Sequence, residues 1–436
     1  MTRFSAFGDL LGSILDRGAR LIERPPSAEA SASELIGQCD ALISSKGEAS
    51  GVALAADTLA RYDALDAGAR LAFFRLLAEQ FNPPPDAVLA AANAYAAEAS
   101  PETLHRLFTI AEPPRQELLR RLNMAPGGTG ALVRMRADLL GLLREQPELR
   151  KIDNDFRHLL GSWFNRGFLV LRPIDWQTPA AILEKIIAYE AVHQIDSWDE
   201  LRRRVDPPDR RCFAFFQPSM PDEPLIFVEV ALTGEIPGSI QKVLAADRPA
   251  LAPEQATTAV FYSISNCQAG LAGVSFGAFL IKQVARDLAG ALPGLKEFVT
   301  LSPVPGFVRW LGDEAKTDPD GDGALIRAML EREGWHAEDS AETARTRVLA
   351  QAARYFLSAK RPDGQPPDPV ARFHLGNGAE LHAIHWMGDV SEKGLAQSAG
   401  VMVNYLYRLD RIEANHEAYV TEGTIAASKV VRGLAS

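Results

Sequence analysis

The sequence predicts an α+β protein, with an all-α helical bundle over residues 1–165 followed by a mixed α/β sheet domain over residues 166–436. Three observations carry this expectation. Up to about residue 165 the apolar residues recur at helical spacing. From Gly167 onward apolar runs of strand length take over and alternate with helical patterns. The chain of 436 residues also exceeds one ordinary core of ~100–200 residues.

In the first part ARLAFFRLLAEQF (69–81) places Leu71, Phe74 and Leu77 on one helical face, and AVLAAANAYAAEA, ETLHRLFTIAE and ADLLGLLREQPELR repeat that pattern. Pro83-Pro84-Pro85, Ser100-Pro101, Pro113-Pro114 and Pro126-Gly127-Gly128 separate them, because proline and glycine break helices. The opening residues, with Asp9, Asp16 and Glu23, read as a first helix and lack the apolar core of a secretion signal. In the second part FLVLRPI, CFAFFQ, PLIFVEVAL, AVFYSIS and EFVTLS have strand character. AAILEKIIAYEAVHQI (180–195) and FGAFLIKQVARDLAGAL (276–292) are helical. ARFHLG and AELHAIHW flank Asn377-Gly378, a strong hairpin signal that would set His374 opposite Leu381.

The formal charge of −10 argues against a nucleic-acid binder, which needs a basic face. The three cysteines, Cys39, Cys212 and Cys267, are far apart and form no metal or disulfide pattern, which points to a reducing compartment. No apolar run reaches the ~18 residues of a membrane span. These features predict a cytoplasmic protein without a membrane partner.

Several local matches carry little chemistry. Gly273-Val274-Ser275-Phe276-Gly277 fits the G-x-S-x-G elbow, but Asn266 to Ala272 separate it from the strand that an elbow must follow directly. Asp318 to Gly323 opens like a calcium loop, yet Met329 stands where the closing Glu belongs, so a solvated turn is expected. His382 and His385, three apart in a strand, point to opposite faces and make no metal pair.

Three constellations remain. Between AVFYSIS and the next helix, Gly270, Gly273 and Gly277 allow close backbone approach, and the helix start offers free N–H groups; that suits a pyrophosphate. Ser302 lies at the end of a strand in Leu301-Ser302-Pro303-Val304-Pro305-Gly306, a turn that two prolines stiffen. His374 is the third, with Asn404, Tyr405 and Tyr407 downstream. Asn404 and Tyr407 share a face if that segment is helical, Tyr405 and Tyr407 if it is a strand.

At these residues the chain resembles the malonyl-CoA decarboxylase family. The blocks that carry the resemblance are YEAVHQIDSWDELRRRV (189–205), RRCFAFFQPSMPDEPLIFVEVALTGEIPGSIQ (210–241), VFYSISNCQAGLAGVSFGAFLIKQV (260–284), TLSPVPGFVRWL (300–311) and FHLGNGAELHAIHWMGDVSEKGLAQSAGVMVNYLY (373–407). The resemblance implies a GNAT-like catalytic domain that holds acyl-CoA with its pyrophosphate at the strand-to-helix turn. Gln268, Gly270, Ala272, Gly273, Val274, Ser275, Phe276, Gly277 and Ala278 would line that turn. Leu271 departs from the Q-x-x-G-x-G pattern there, and Ser275 stands where animal members carry Glu. The family's catalytic serine falls on Ser302, its histidine on His374 and a tyrosine on Tyr407.

The implied activity is decarboxylation of malonyl-CoA to acetyl-CoA and CO₂, with no cofactor because the thioester carbonyl itself accepts the electrons. Ser302 would hold the carboxylate or thioester and His374 would protonate the enolate carbon, with Asn404 and Tyr407 as further donors. Arg203, within Arg202-Arg203-Arg204, together with Arg210 and Arg211, would meet CoA phosphates. Assembly as a homo-oligomer (dimer or tetramer) through the helical domain is also expected. The alternatives are a CoA-dependent acyltransferase of the same superfamily, a thioesterase using Ser275, and a CoA-sensing scaffold.

Overall fold

The structure, a computed structural model, describes residues 27–45, 47–274, 280–337 and 339–435. The segment read as a first helix lies outside the described residues. The chain up to Trp163, together with Ala269–Val274, makes one compact unit, and the remaining described chain makes the second.

The first unit is helical. Its elements are α1 (Ala28–Ser44), α2 (Glu48–Asp63), α3 (Ala67–Gln80), α4 (Pro85–Ala97), α5 (Pro101–Ala111), α6 (Pro114–Asn123), α7 (Gly128–Leu142) and α8 (Arg150–Trp163). The breakers in the sequence act as starts. Pro85, Pro101 and Pro114 each open a helix, where a missing N–H costs nothing, and Ser100 closes a capping box with Thr103. Tyr62, Phe73, Phe74 and Leu77 fill the core. Two buried ion pairs cross it: Arg115 Nε to Asp155 Oδ2 at 2.7 Å and Arg136 Nε to Asp153 Oδ1 at 2.8 Å. Arg136 Nη1 also donates to Gly270 O at 2.7 Å. A Cβ on Gly270 would sit 1.8 Å from Val133 O, so helix packing alone requires glycine there.

The second unit is built on one mixed sheet of eight strands. They are β1 (Val170–Ile174), β2 (Arg210–Phe216), β3 (Ile226–Thr233), β4 (Thr258–Asn266), β5 (Glu297–Thr300), β6 (Ser302–Pro303), β7 (Glu380–His385) and β8 (Met402–Leu406). Their order is β1-β2-β3-β4-β5-β8-β6, with β7 on β8. Strands β1 to β4 form an antiparallel meander, and β5 runs parallel to β4 after a helical crossover. Strands β3 and β4 are buried along most of their length, which explains their near-continuous apolar sequence.

Helices α9 (Ala180–Tyr189) and α10 (Trp198–Val205) bury Ile182, Leu183, Ile186 and Leu201 against Cys212, Phe216 and Phe227 of the sheet. The other helices are α11 (Ile240–Leu244), α12 (Leu280–Ala291), α13 (Phe307–Thr317), α14 (Asp322–Leu330), α15 (Asp339–Leu357), α16 (Pro369–Gly376), α17 (Glu392–Ser398), α18 (Ile412–Glu422) and α19 (Lys429–Leu434). The run from Asp318 is an exposed turn between α13 and α14. Among the described residues no helix is long and apolar enough to cross a membrane, and no cluster of three metal-ligating side chains occurs.

One expectation is overturned. ARFHLG is not a strand and Asn377-Gly378 is not a hairpin turn: His374 lies in α16, and β7 pairs with β8. Gly378 (φ +84°) donates to Leu375 O, and Ala379 donates to His374 O. Those two bonds are a Schellman stop, which needs a left-handed residue just as a tight hairpin does. Leu381 therefore sits opposite Tyr405, not His374.

Candidate active site

The sheet opens where β4 and β5 part. Their pairing ends at Phe261 and Thr300, while β4 continues to Asn266. In that opening lies a cavity of about 250 Å³, whose lining includes Tyr262, Ile264 and Asn266 from β4, Ser302 from β6, and Phe373 and His374 from α16. Asp368 starts α16 by accepting from Ala371 N–H at 2.8 Å, with Pro369 next in line. The Schellman stop ends the helix, so α16 is fixed at both ends and its last turn delivers the imidazole.

Ser302 and His374 are brought together. Ser302 Oγ lies 3.4 Å from His374 Nε2 and donates to Thr300 Oγ1 at 2.9 Å. Thr300 Oγ1 also accepts from Tyr405 N–H at 3.1 Å, which ties the serine to β8. On its other nitrogen, His374 Nδ1 is 2.8 Å from Tyr407 Oη. The Tyr405 ring stacks on the imidazole, 4.6 Å between centroids and 23° between planes. The segment is a strand, so Tyr405 and Tyr407 share the face toward His374.

The site is dry. Burial pushes His374 down to about 3, so the imidazole is neutral at ordinary pH. Burial likewise drives the Tyr405 and Tyr407 hydroxyls well above their ordinary range. Asp368 is raised by burial to about 6, against the N–H groups of Ala371, Val370 and Gly306 that favour its charge.

The other candidates go elsewhere. Asn404 faces away: its amide donates to Thr300 O at 2.8 Å and Pro237 O at 3.2 Å, and its oxygen meets His385 Nε2. Gln268 donates to Pro224 O at 3.1 Å. Gly270, Ala272, Gly273 (φ +74°) and Val274 belong to the helical unit's turn, while Ser275, Phe276, Gly277 and Ala278 lie outside the described residues.

The arginines do not form one patch. Arg202 pairs with Asp206 at 3.0 Å and covers the Trp176 ring at 5.4 Å. Arg204 is buried, pairing with Glu200 at 2.6 Å and Glu229 at 3.2 Å. Arg211 donates to Pro208 O at 2.8 Å. Arg203 joins Arg204, Arg210 and Arg248 around a second cavity of about 120 Å³. Arg210 is level with Ala231 on β3, and Asn266, which precedes Gln268 by two residues, is level with Ile226. The five residues between those rows span ~17 Å. The cluster therefore lies toward the opposite end of the sheet from Gln268.

Sequence reasoning missed Thr300 and Asp368 as parts of the site. Asp368-Pro369 before an apolar run is a helix-start signal that identifies the cap. Thr300 carries no such mark.

The malonyl-CoA decarboxylase C-terminal domain matches residues 167–436, and the malonyl-CoA decarboxylase N-terminal domain matches residues 81–164. The mitochondrial malonyl-CoA decarboxylase of Anser anser anser is 36% identical over 353 residues, 74% of this chain and 70% of the relative. That of Rattus norvegicus is 36% identical over 357 residues, 76% of this chain and 72% of the relative. The crystal structure of malonyl-CoA decarboxylase from Rhodopseudomonas palustris is similar at a TM-score of 0.88 and 54% identity, covering 92% of this chain and 99% of that one. The structure from Agrobacterium vitis gives 0.88 and 52%, covering 92% and 100%. On these matches the chain belongs to the malonyl-CoA decarboxylase family.

Proposed function

We propose that the protein converts malonyl-CoA to acetyl-CoA and CO₂ in the cavity between Ser302 and His374. The observation that carries this reading is the 3.4 Å approach of Ser302 Oγ to His374 Nε2 in one buried cavity, with Tyr407 Oη 2.8 Å behind Nδ1. The bond from the α-carbon to the carboxylate breaks, CO₂ leaves, and the electron pair passes into the thioester carbonyl as an enolate. Ser302 holds the thioester oxygen or the departing carboxylate, and a dry cavity strengthens each such contact. Tyr407 donates to Nδ1, which leaves the proton on Nε2, facing Ser302 and the cavity. That proton goes to the α-carbon and is replaced from water. The enolate is more basic than the imidazolate left when a neutral ring gives up its Nε2 proton, so a neutral ring suffices and water reprotonates it; the malonyl carboxylate would itself favour a charged ring.

The test is incubation with malonyl-CoA, following acetyl-CoA and CO₂. His374→Asn should lower kcat by about 10²–10⁴-fold with substrate binding retained; wild-type turnover in that variant would refute the assignment. Assembly with further copies of the chain through the helical part belongs to the same reading. Exposed Leu89 and Phe108 on α4 and α5 support it, and light scattering in solution decides it.

A further inference from the structure

We propose that the cavity lined by Arg203, Arg204, Arg210 and Arg248 binds a small multivalent oxyanion of the phosphate type, separately from the acyl-CoA. Four arginines line a cavity of about 120 Å³. That is room for about four waters, enough for one tetrahedral oxyanion and too little for a nucleotide.

The cluster is not neutralised from within. Glu200 answers Arg204 at 2.6 Å, and Asp209 is shared between Arg248 and Arg210, with 3.0 Å from Arg248 Nη2 to Oδ1 and 3.7 Å from Arg210 Nη1 to Oδ2. The third carboxylate, Glu229, is fully buried beside Arg204. Four cations against three carboxylates leave a surplus of one even with every acid ionised. Burial and the nearby Glu190 carboxylate raise Glu229, which weakens its answer to Arg204. Burial and the neighbouring Arg248 together press Arg210 below its ordinary value. A bound dianion would relieve both.

Two further features distinguish this site from a solvated patch. Arg204 is 3% exposed, yet its Nε has no hydrogen-bond partner among the described residues. Its other nitrogens donate to His193 O at 2.7 Å and Gln194 O at 2.9 Å, so the guanidinium is held in place before any ligand arrives. Arg203 makes no ion pair among the described residues and is the exposed member, able to close on an anion from the solvent side.

The experiment is calorimetric titration of inorganic phosphate into the full-length protein at constant ionic strength, with and without saturating CoA. The expected result is one saturable site whose affinity CoA leaves unchanged. Arg203→Gln should weaken it about tenfold, in line with the loss of one charge-assisted bond, while Arg202→Gln leaves it as it is. Both side chains are exposed, so neither change threatens the fold. Absence of saturable binding, displacement of phosphate by CoA, or equal responses of the two variants would overturn the proposal.

Discussion

Arg115 and Arg136 in the helical unit each meet a carboxylate, at 2.7 and 2.8 Å, whereas Thr300, Ser302, His374 and Tyr407 in the sheet unit form a neutral chain. Both sets of side chains are buried, yet they do different work. An ion pair in the interior joins chain segments strongly, because removing one partner strands the other without solvent. A neutral chain of hydroxyls and an imidazole holds its members more weakly.

That contrast can be broken by experiment. The largest effect on stability belongs to the helical unit. Arg136→Met strands Asp153 and the Gly270 carbonyl, and should cost about 3–5 kcal/mol in denaturant unfolding. The double change with Asp153→Leu should recover most of it; a single variant as stable as wild type would remove the distinction between the regions.

A second effect follows from His374. In the unfolded chain a histidine takes a proton near ~6.5, but in the fold this one stays neutral down to about 3. Between those values the unfolded state binds more protons, so stability must fall as pH drops, by up to ~1.4 kcal/mol per pH unit. His374→Gln should flatten that slope between pH 6.5 and 5, read as a smaller loss of Tm; an unchanged slope would mean that the imidazole is solvated.

Removing one neutral hydroxyl is expected to matter less. Tyr407→Phe should lower kcat about tenfold, the worth of one hydrogen bond that fixes the tautomer, with Tm nearly unchanged. The smallest effect sharpens the role of the cap on α16. Asp368→Ala should cost about 1 kcal/mol of stability and lower kcat in step, while Asp368→Asn, which still caps, restores both. If Asn and Ala behave alike, the carboxylate charge matters and the cap does not.

Much of this was legible in the chain because it depends on neighbours in sequence. Prolines 85, 101 and 114 open helices as the pattern predicts, and the apolar runs ending at Phe216, Thr233 and Asn266 are strands. Ser302 and His374 meet as expected. The Asn377-Gly378 reading went wrong for a physical reason: positive φ at Gly378 serves a Schellman stop and a hairpin equally, and the choice belongs to β8, which takes β7 as its partner. The arginine tripeptide is dispersed by the same kind of tertiary choice. Adjacent helical residues point about 100° apart, so Arg202, Arg203 and Arg204 go to a tryptophan face, a cavity rim and the sheet interior.

By itself, then, the sequence determined where helices and strands begin, that the first part is helical and the second a mixed sheet, and which serine and histidine to watch. Periodicity, proline and capping are local, and local energies are written residue by residue. Only the tertiary structure decided that Thr300, Tyr405 and Tyr407 surround His374, that Asn404 turns to His385, and that Gly270 answers a helix carbonyl. Those outcomes depend on strand register and on the parting of β4 from β5. A shift of one residue along a strand exchanges its faces, and nothing local in the sequence holds that shift in place.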